Sequence, residues 1–350
     1  MSKRSLLTCG FLISFLFSAM LSVAQEDLST PGGYLTHFSK QLESVNQTYM
    51  NYLSAVSHGK SARKVEKLRN KTLDIILTAK GEIAGTPGFK RDKTYRDAMV
   101  DYLKTTYFVF NEDYHKIVNM EEVAEQSYDS MEAYLLAQKL AGEKLKEAGE
   151  KQHEALKAFA VKNNVTLTDA KDDLDTKLET AGKLNDYYNK VYLIFFRSHK
   201  QDAYLTDAIN KNNITAIEQS RNALETYATA GLEDIAAVGP YGSDATMVAA
   251  CKNALNFYKE LATQKMEPVT NFILANDNFT KLKKSFDVLP AARRTQLDVD
   301  NFNKAVADIN KGSNAYNKAN TEINKQRTDV LNNWNKAVKD FFDAQMPYAK

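Results

Sequence analysis

Two stretches, VEKLRNKTLDIILTAKGEI at residues 65–83 and IEQSRNALETYATAGLEDI at 217–235, decide the fold. In the first, Val65, Leu68, Thr72, Ile75, Ile76, Ala79 and Ile83 recur every three or four residues, which puts them on one face of an α-helix. Ile217, Leu224, Tyr227 and Ile235 do the same in the second, with Ile214 one turn ahead of it. The stretches lie 152 positions apart. The same shift, carried outward without a gap, lays residues 52–118 over 204–270 with 11 identities in 67 positions. Tyr52-Leu53 falls on Tyr204-Leu205, Arg69-Asn70 on Arg221-Asn222, Ile83-Ala84 on Ile235-Ala236, and Asp92-x-Thr94 on Asp244-x-Thr246; Ala98 and Leu103 fall on Ala250 and Leu255. Both copies cross a Pro/Gly break at the same place, Thr86-Pro87-Gly88-Phe89 and Gly239-Pro240-Tyr241-Gly242. This is the pattern of two related helical units in tandem.

No stretch alternates with β-branched enrichment, so no sheet is expected. Pro31-Gly32-Gly33 precedes the first helix, His58-Gly59-Lys60 follows it, Asp92 N-caps the third, Asn119–Glu122 turns into the fourth, and Asn163-Asn164 ends the first unit. Thr166-x-x-Asp169 reads as a capping box opening a long fifth helix. The expected fold is all-α: two tandem, related up-and-down bundles of about eight long helices, over 25–163 and 164–350, sharing or abutting a core. Tyr107 to Phe110 and Tyr187 to Phe196 are apolar on all sides, which predicts burial all round. Phe302, Val306, Ile309, Ser313, Tyr316, Asn320, Ile323, Arg327, Val330, Trp334, Ala337 and Phe341 step by four and three, a heptad seam interrupted by polar residues. It reads either as a core helix with a wet middle or as a partner groove. Residues 271–301 have no counterpart in the first unit; they hold Phe286, Arg293 and Arg294, and read either as an amphipathic hairpin covering the bundle or as a partner surface.

Lys3-Arg4, the apolar run Leu6–Val23 and the small residues before Gln25 read as a cleaved secretory signal peptide over 1–24. The alternative is an uncleaved anchor. Cys9 precedes the apolar centre, so lipid anchoring is not expected. Without the leader, basic and acidic residues balance at 44 each, which leaves no electrostatic footprint for nucleic acid. Cys251 is then the sole thiol, and no internal disulfide can form. No further membrane span is expected.

Few constellations carry chemistry. Glu112-x-x-His115 and Glu150-x-x-His153 match the di-iron helix motif, but helix length separates their histidines, and Gln264–Glu267 replaces the first motif in the second copy. His153-Glu154 lacks the second histidine of a zinc-protease helix, which Lys157 replaces. His37, His58 and His199 have no ligand-spaced partner and mostly read as surface or interfacial residues. Asp169, Asp172, Asp173 and Asp175 lack the glycine and glutamate of a calcium loop and suit a first helical turn. No phosphate loop, nucleophile elbow or haem site is present. The expectation is a chain with no cofactor, no metal and no catalytic residue.

The Ser22-Val23-Ala24-Gln25 junction and the Asn/Lys/Tyr-rich helices resemble uncharacterised all-helical surface proteins of Bacteroidota and spirochaetes. The resemblance implies an envelope location, secreted, periplasmic or surface-associated, and a non-catalytic role; it carries over no site residue. Helical iron-regulated envelope proteins of the imelysin type are a looser likeness, since no histidine here is followed three residues later by Glu. The first functional expectation is binding to a protein or glycan at the envelope, with Phe286, Arg293 and Arg294 on the partner surface. The second is a small-ligand pocket between the units lined by Tyr107, Phe110, Tyr192 and Phe196. The third is a helical-bundle metalloenzyme.

Overall fold

A computed structural model describes residues 27–113, 123–167 and 173–349. The leader, Cys9, Asn119–Glu122, His115, Asp169 and Asp172 lie outside them. The structure is 86% helical and, among the described residues, has nine α-helices and no strand. These are α1 Pro31–Ser57, α2 Ala62–Gly85, α3 Thr94–Phe108, α4 Tyr128–Lys162, α5 Asp173–Asn210, α6 Ile214–Val238, α7 Thr246–Glu260, α8 Glu267–Val288 and α9 Gln296–Gln345. A single π-turn follows α3 (Val109–Asp113) and another follows α7 (Leu261–Lys265), and a 3₁₀ turn, Ala291–Arg293, lies between α8 and α9.

The correspondence between the two stretches extends to details that periodicity does not show. α3 and α7 start at Thr94 and Thr246, and their π-turns start at Val109 and Leu261, each pair 152 apart. All five buried positions of α3 (Tyr95, Met99, Tyr102, Leu103, Thr106) fall on buried positions of α7 (Met247, Cys251, Ala254, Leu255, Tyr258). The isolated bridges Phe89–Asp92 and Tyr241–Asp244 correspond as well. In both turns the Asp carboxylate accepts from a backbone N–H at the start of the next helix, Thr94 at 2.9 Å and Thr246 at 2.8 Å. Asp92 therefore works one residue outside the N-cap position, which Lys93 occupies. Lys162 donates to Asp92 at 2.6 Å, and this bond, followed by those from Thr94, holds the Asp92 carboxyl well below the usual carboxylate range.

One alignment is corrected. α1 and α5 both end in a Schellman turn with a left-handed residue, Gly59 at φ 62° and Asn212 at φ 51°. Lys60 N–H donates to Ala55 and Asn213 N–H to Ala208. These partners lie 153 apart, because the turn before α6 is one residue shorter. Tyr52 therefore corresponds to Leu205, and both are fully buried, whereas Tyr204 is 42% exposed. The breaker Pro31-Gly32-Gly33 is also the first turn of α1 and not a loop ahead of it: Thr30 caps the helix, accepting from Gly33 N–H at 3.1 Å, and Pro31 stands where no amide hydrogen is needed.

Packing divides the chain into two compact units, one running to Asn189 and resuming at Lys339, the other spanning Lys190–Val338. The boundary cuts α5 and α9 along their length. In the first unit the rings of Tyr34, Phe38, Phe89, Tyr95 and Phe159 meet at centroid distances of 4.7–5.6 Å. Burial of such side chains stabilises by roughly 1.5–3 kcal/mol each. Phe341 and Phe342, near the C-terminus, complete this unit against Tyr187 (5.6 Å) and Tyr188 (5.1 Å).

In the second unit the α9 seam divides in two. Ile323, Val330, Trp334 and Ala337 are buried, whereas Phe302 to Asn320 are half-buried. That upper half pairs with α8: Phe272 meets Tyr316 at 4.8 Å, and Phe279 and Phe286 meet Phe302 at 5.8 and 4.4 Å. Residues 274–322 contain no buried residue. The segment 271–301 is thus the outer part of a two-helix hairpin whose apolar stripes face each other.

Candidate functional site

The residues expected to line a pocket between units are held within their own units. Phe110 is buried in the first unit, its ring edge-on to Tyr49 at 5.0 Å, and Tyr107 is half-buried. Phe108, read as buried, is 47% exposed. Helix geometry explains this: at about 100° per residue, four consecutive side chains are spread over most of the helix circumference and need not all point inward. In the second unit Tyr192 and Phe196 are buried, 5.6 Å from each other, and Tyr192 also meets Trp334 at 6.3 Å.

Beside Phe108 runs a half-open groove of about 440 Å³ between α3 and α4. Tyr102 and Val109 form its floor, and Asp101, Lys144, Glu147 and Lys151 its charged walls. The small residues Ala98, Thr105 and Ala148 open this dip. No sequence signal distinguishes it, because a small residue facing another across two helices leaves no mark within either.

The hairpin tip carries the other candidates. The Arg294 guanidinium lies 4.2 Å from the Phe286 ring centroid, and its Nε donates to the Leu289 carbonyl at 3.1 Å, closing the end of α8. Arg294 and Phe286 thus shape the tip, and Arg293 is exposed beside them. Val288 and Leu297 are the most exposed large apolar residues of the second unit, at 77% and 67%. Thr295 and Asp298 form a reciprocal capping box at the start of α9.

A polar cluster lies in the second unit, and sequence reasoning missed it. Arg327, the last polar interruption of the α9 seam, clasps Asp202 of α5 with Nε at 2.9 Å and Nη2 at 2.7 Å; the two side chains are 14% and 9% exposed. One turn earlier on α5, His199 Nδ1 lies 3.1 Å from the Tyr258 hydroxyl, and the ring stacks on Phe195, which stacks on Trp334 at 3.9 Å. Burial lowers the His199 pKa, partly opposed by Asp202, and burial raises that of Tyr258. His199 is thus half-buried at a contact between helices, the interfacial of its two expected placements. The signal was present as polar residues at core phase, but the partners are 125 residues apart in sequence.

The remaining candidates have ordinary partners. Glu112 accepts from Asn111 at 2.9 Å, and Glu150 pairs with Lys146 at 3.9 Å. Asp173 pairs with Lys177 at 2.7 Å, and Asp175 is buried. Burial pushes the Cys251 thiol up to about 12. Among the described residues no three His, Cys, Asp or Glu side chains gather as a metal site, and no helix is long and apolar enough to cross a membrane. Comparison with protein-family models, curated proteins and solved structures finds no match.

Proposed function

We propose that this chain is an exported, envelope-associated binding protein without catalytic activity, and that it engages a protein or glycan partner through the α8–α9 hairpin. One observation carries the reading: residues 274–322 are ordered helix and turn, yet contribute no buried residue to a core. Their apolar stripes are taken up by each other, so the tip and polar flanks face solvent. The tip offers two exposed aliphatic side chains, Val288 and Leu297, next to Arg293, a mixture that suits a partner interface. Replacing 281–304 by a short Gly-Ser turn tests it. The intact chain should recover a defined partner from envelope extract, and the shortened chain, with helical circular dichroism retained, should lose it. Equal recovery by both chains would overturn the assignment to the hairpin.

A second reading, small-ligand binding, is favoured by the groove beside Phe108. Its walls carry charges of both signs, which suit a small zwitterionic or aromatic ligand. A ligand-induced rise in melting temperature that Phe108→Ala abolishes would support it.

A further inference from the structure

We propose that His199 is a proton sensor of the second unit, whose protonation reverses its hydrogen bond with Tyr258 and loosens the clamp that Asp202 and Arg327 form between α5 and α9. His199 is half-buried and faced by several elements. On its own helix stand Lys200 and Asp202; α7 presents Tyr258, with Cys251 beside that hydroxyl; α9 presents Trp334, through Phe195, and Arg327. The neighbouring contact from α6 is uncharged, the Ser220 carbonyl accepting from Gln201 at 3.4 Å.

With a neutral ring, Nδ1 can accept the Tyr258 proton at 3.1 Å. A protonated ring donates from both nitrogens, so the hydrogen bond reverses: the Tyr258 oxygen accepts, its buried O–H must turn to another acceptor, and the new cation must find a counter-charge. The carboxylate available is Asp202, already clasped by Arg327. A second cation competing for it weakens the clasp. The first unit lacks the device: in the corrected register Asn46 stands for His199 and Tyr49 for Asp202, so neither position offers a group that titrates near neutrality.

The direction follows from burial, which lowers the folded-state pKa of His199. The unfolded imidazole titrates near ~6.5. Stability is therefore full above that value and falls as pH drops through it, until the folded ring also protonates. In that window the folding constant falls by up to about tenfold per pH unit.

Trp334 is the chain's single tryptophan and sits on the same aromatic stack. Proton NMR of the purified chain from pH 8 to 4.5 should show the His199 ring and the Trp334 indole titrating together, with a common midpoint below ~6.5. His199→Asn, the residue of the first unit, should abolish the Trp334 transition. A His199 midpoint at or above the unfolded value, or a Trp334 transition that does not follow the ring, would overturn the proposal. So would persistence of that transition in a folded His199→Asn chain. The natural chain alone decides the matter if the variant does not fold.

Discussion

At the scale of single residues, the two copies explain each other. Gly242 sits at φ 58° where the first copy carries Lys90 at φ 49°. A left-handed backbone costs an L-residue roughly 1–2 kcal/mol. Gly242→Ala should therefore lower stability by about 1 kcal/mol, whereas Lys90→Gly should be tolerated or raise the midpoint in urea unfolding. Cys251, fully buried with its thiol pushed up to about 12, should resist an aromatic disulfide reagent in the native chain and react on unfolding. Arg327→Ala leaves the buried Asp202 carboxylate unpaired and should cost roughly 3–5 kcal/mol. Adding Asp202→Ala should recover part of that loss in a double-mutant cycle. These outcomes rest on contacts between distant residues, which no local spacing encodes. That is why Arg327 read only as a polar interruption, and His199 only as a histidine without a ligand-spaced neighbour.

At the scale of elements, what was legible and what was not follow from the physics. Helices α2 and α6 show their inward faces as recurring apolar residues, and their likeness carries the 152-residue shift. α1 and α5 defeated the gapless alignment because one residue is missing from a turn, and a one-residue slip moves a helical face by about 100°. The π-turns were invisible, since a single wide turn produces no sustained period. The heptad seam was legible as a contact surface, but a seam does not name its partner: from Ile323 onward it faces the core, and from Phe302 to Asn320 it faces α8. Replacing 281–304 should accordingly shift the melting temperature little and reduce helical signal only by the residues removed. Global unfolding of that variant would show that the hairpin supports the core. Gly312 lies 3.3 Å, measured from a Cβ built on it, from the Phe272 ring, so Gly312→Val should open the hairpin locally.

At the scale of the whole molecule, the chain crosses between its compact units twice. The first unit is discontinuous in sequence, since it runs to Asn189 and resumes at Lys339. Removing residues 339–350 takes away Phe341, Phe342 and Met346, all buried, and strips the neighbours of Tyr187 and Tyr188. Hydrogen exchange on that truncation should show lost protection in α1–α4 and retained protection in α6 and α7; equal loss in both units would contradict the division. The same topology sets a timetable for biogenesis. A ribosome delivers a polypeptide from its N-terminus at about 5–20 residues per second, so α1–α4 are complete well before residues 339–350 arrive to close the interior they share.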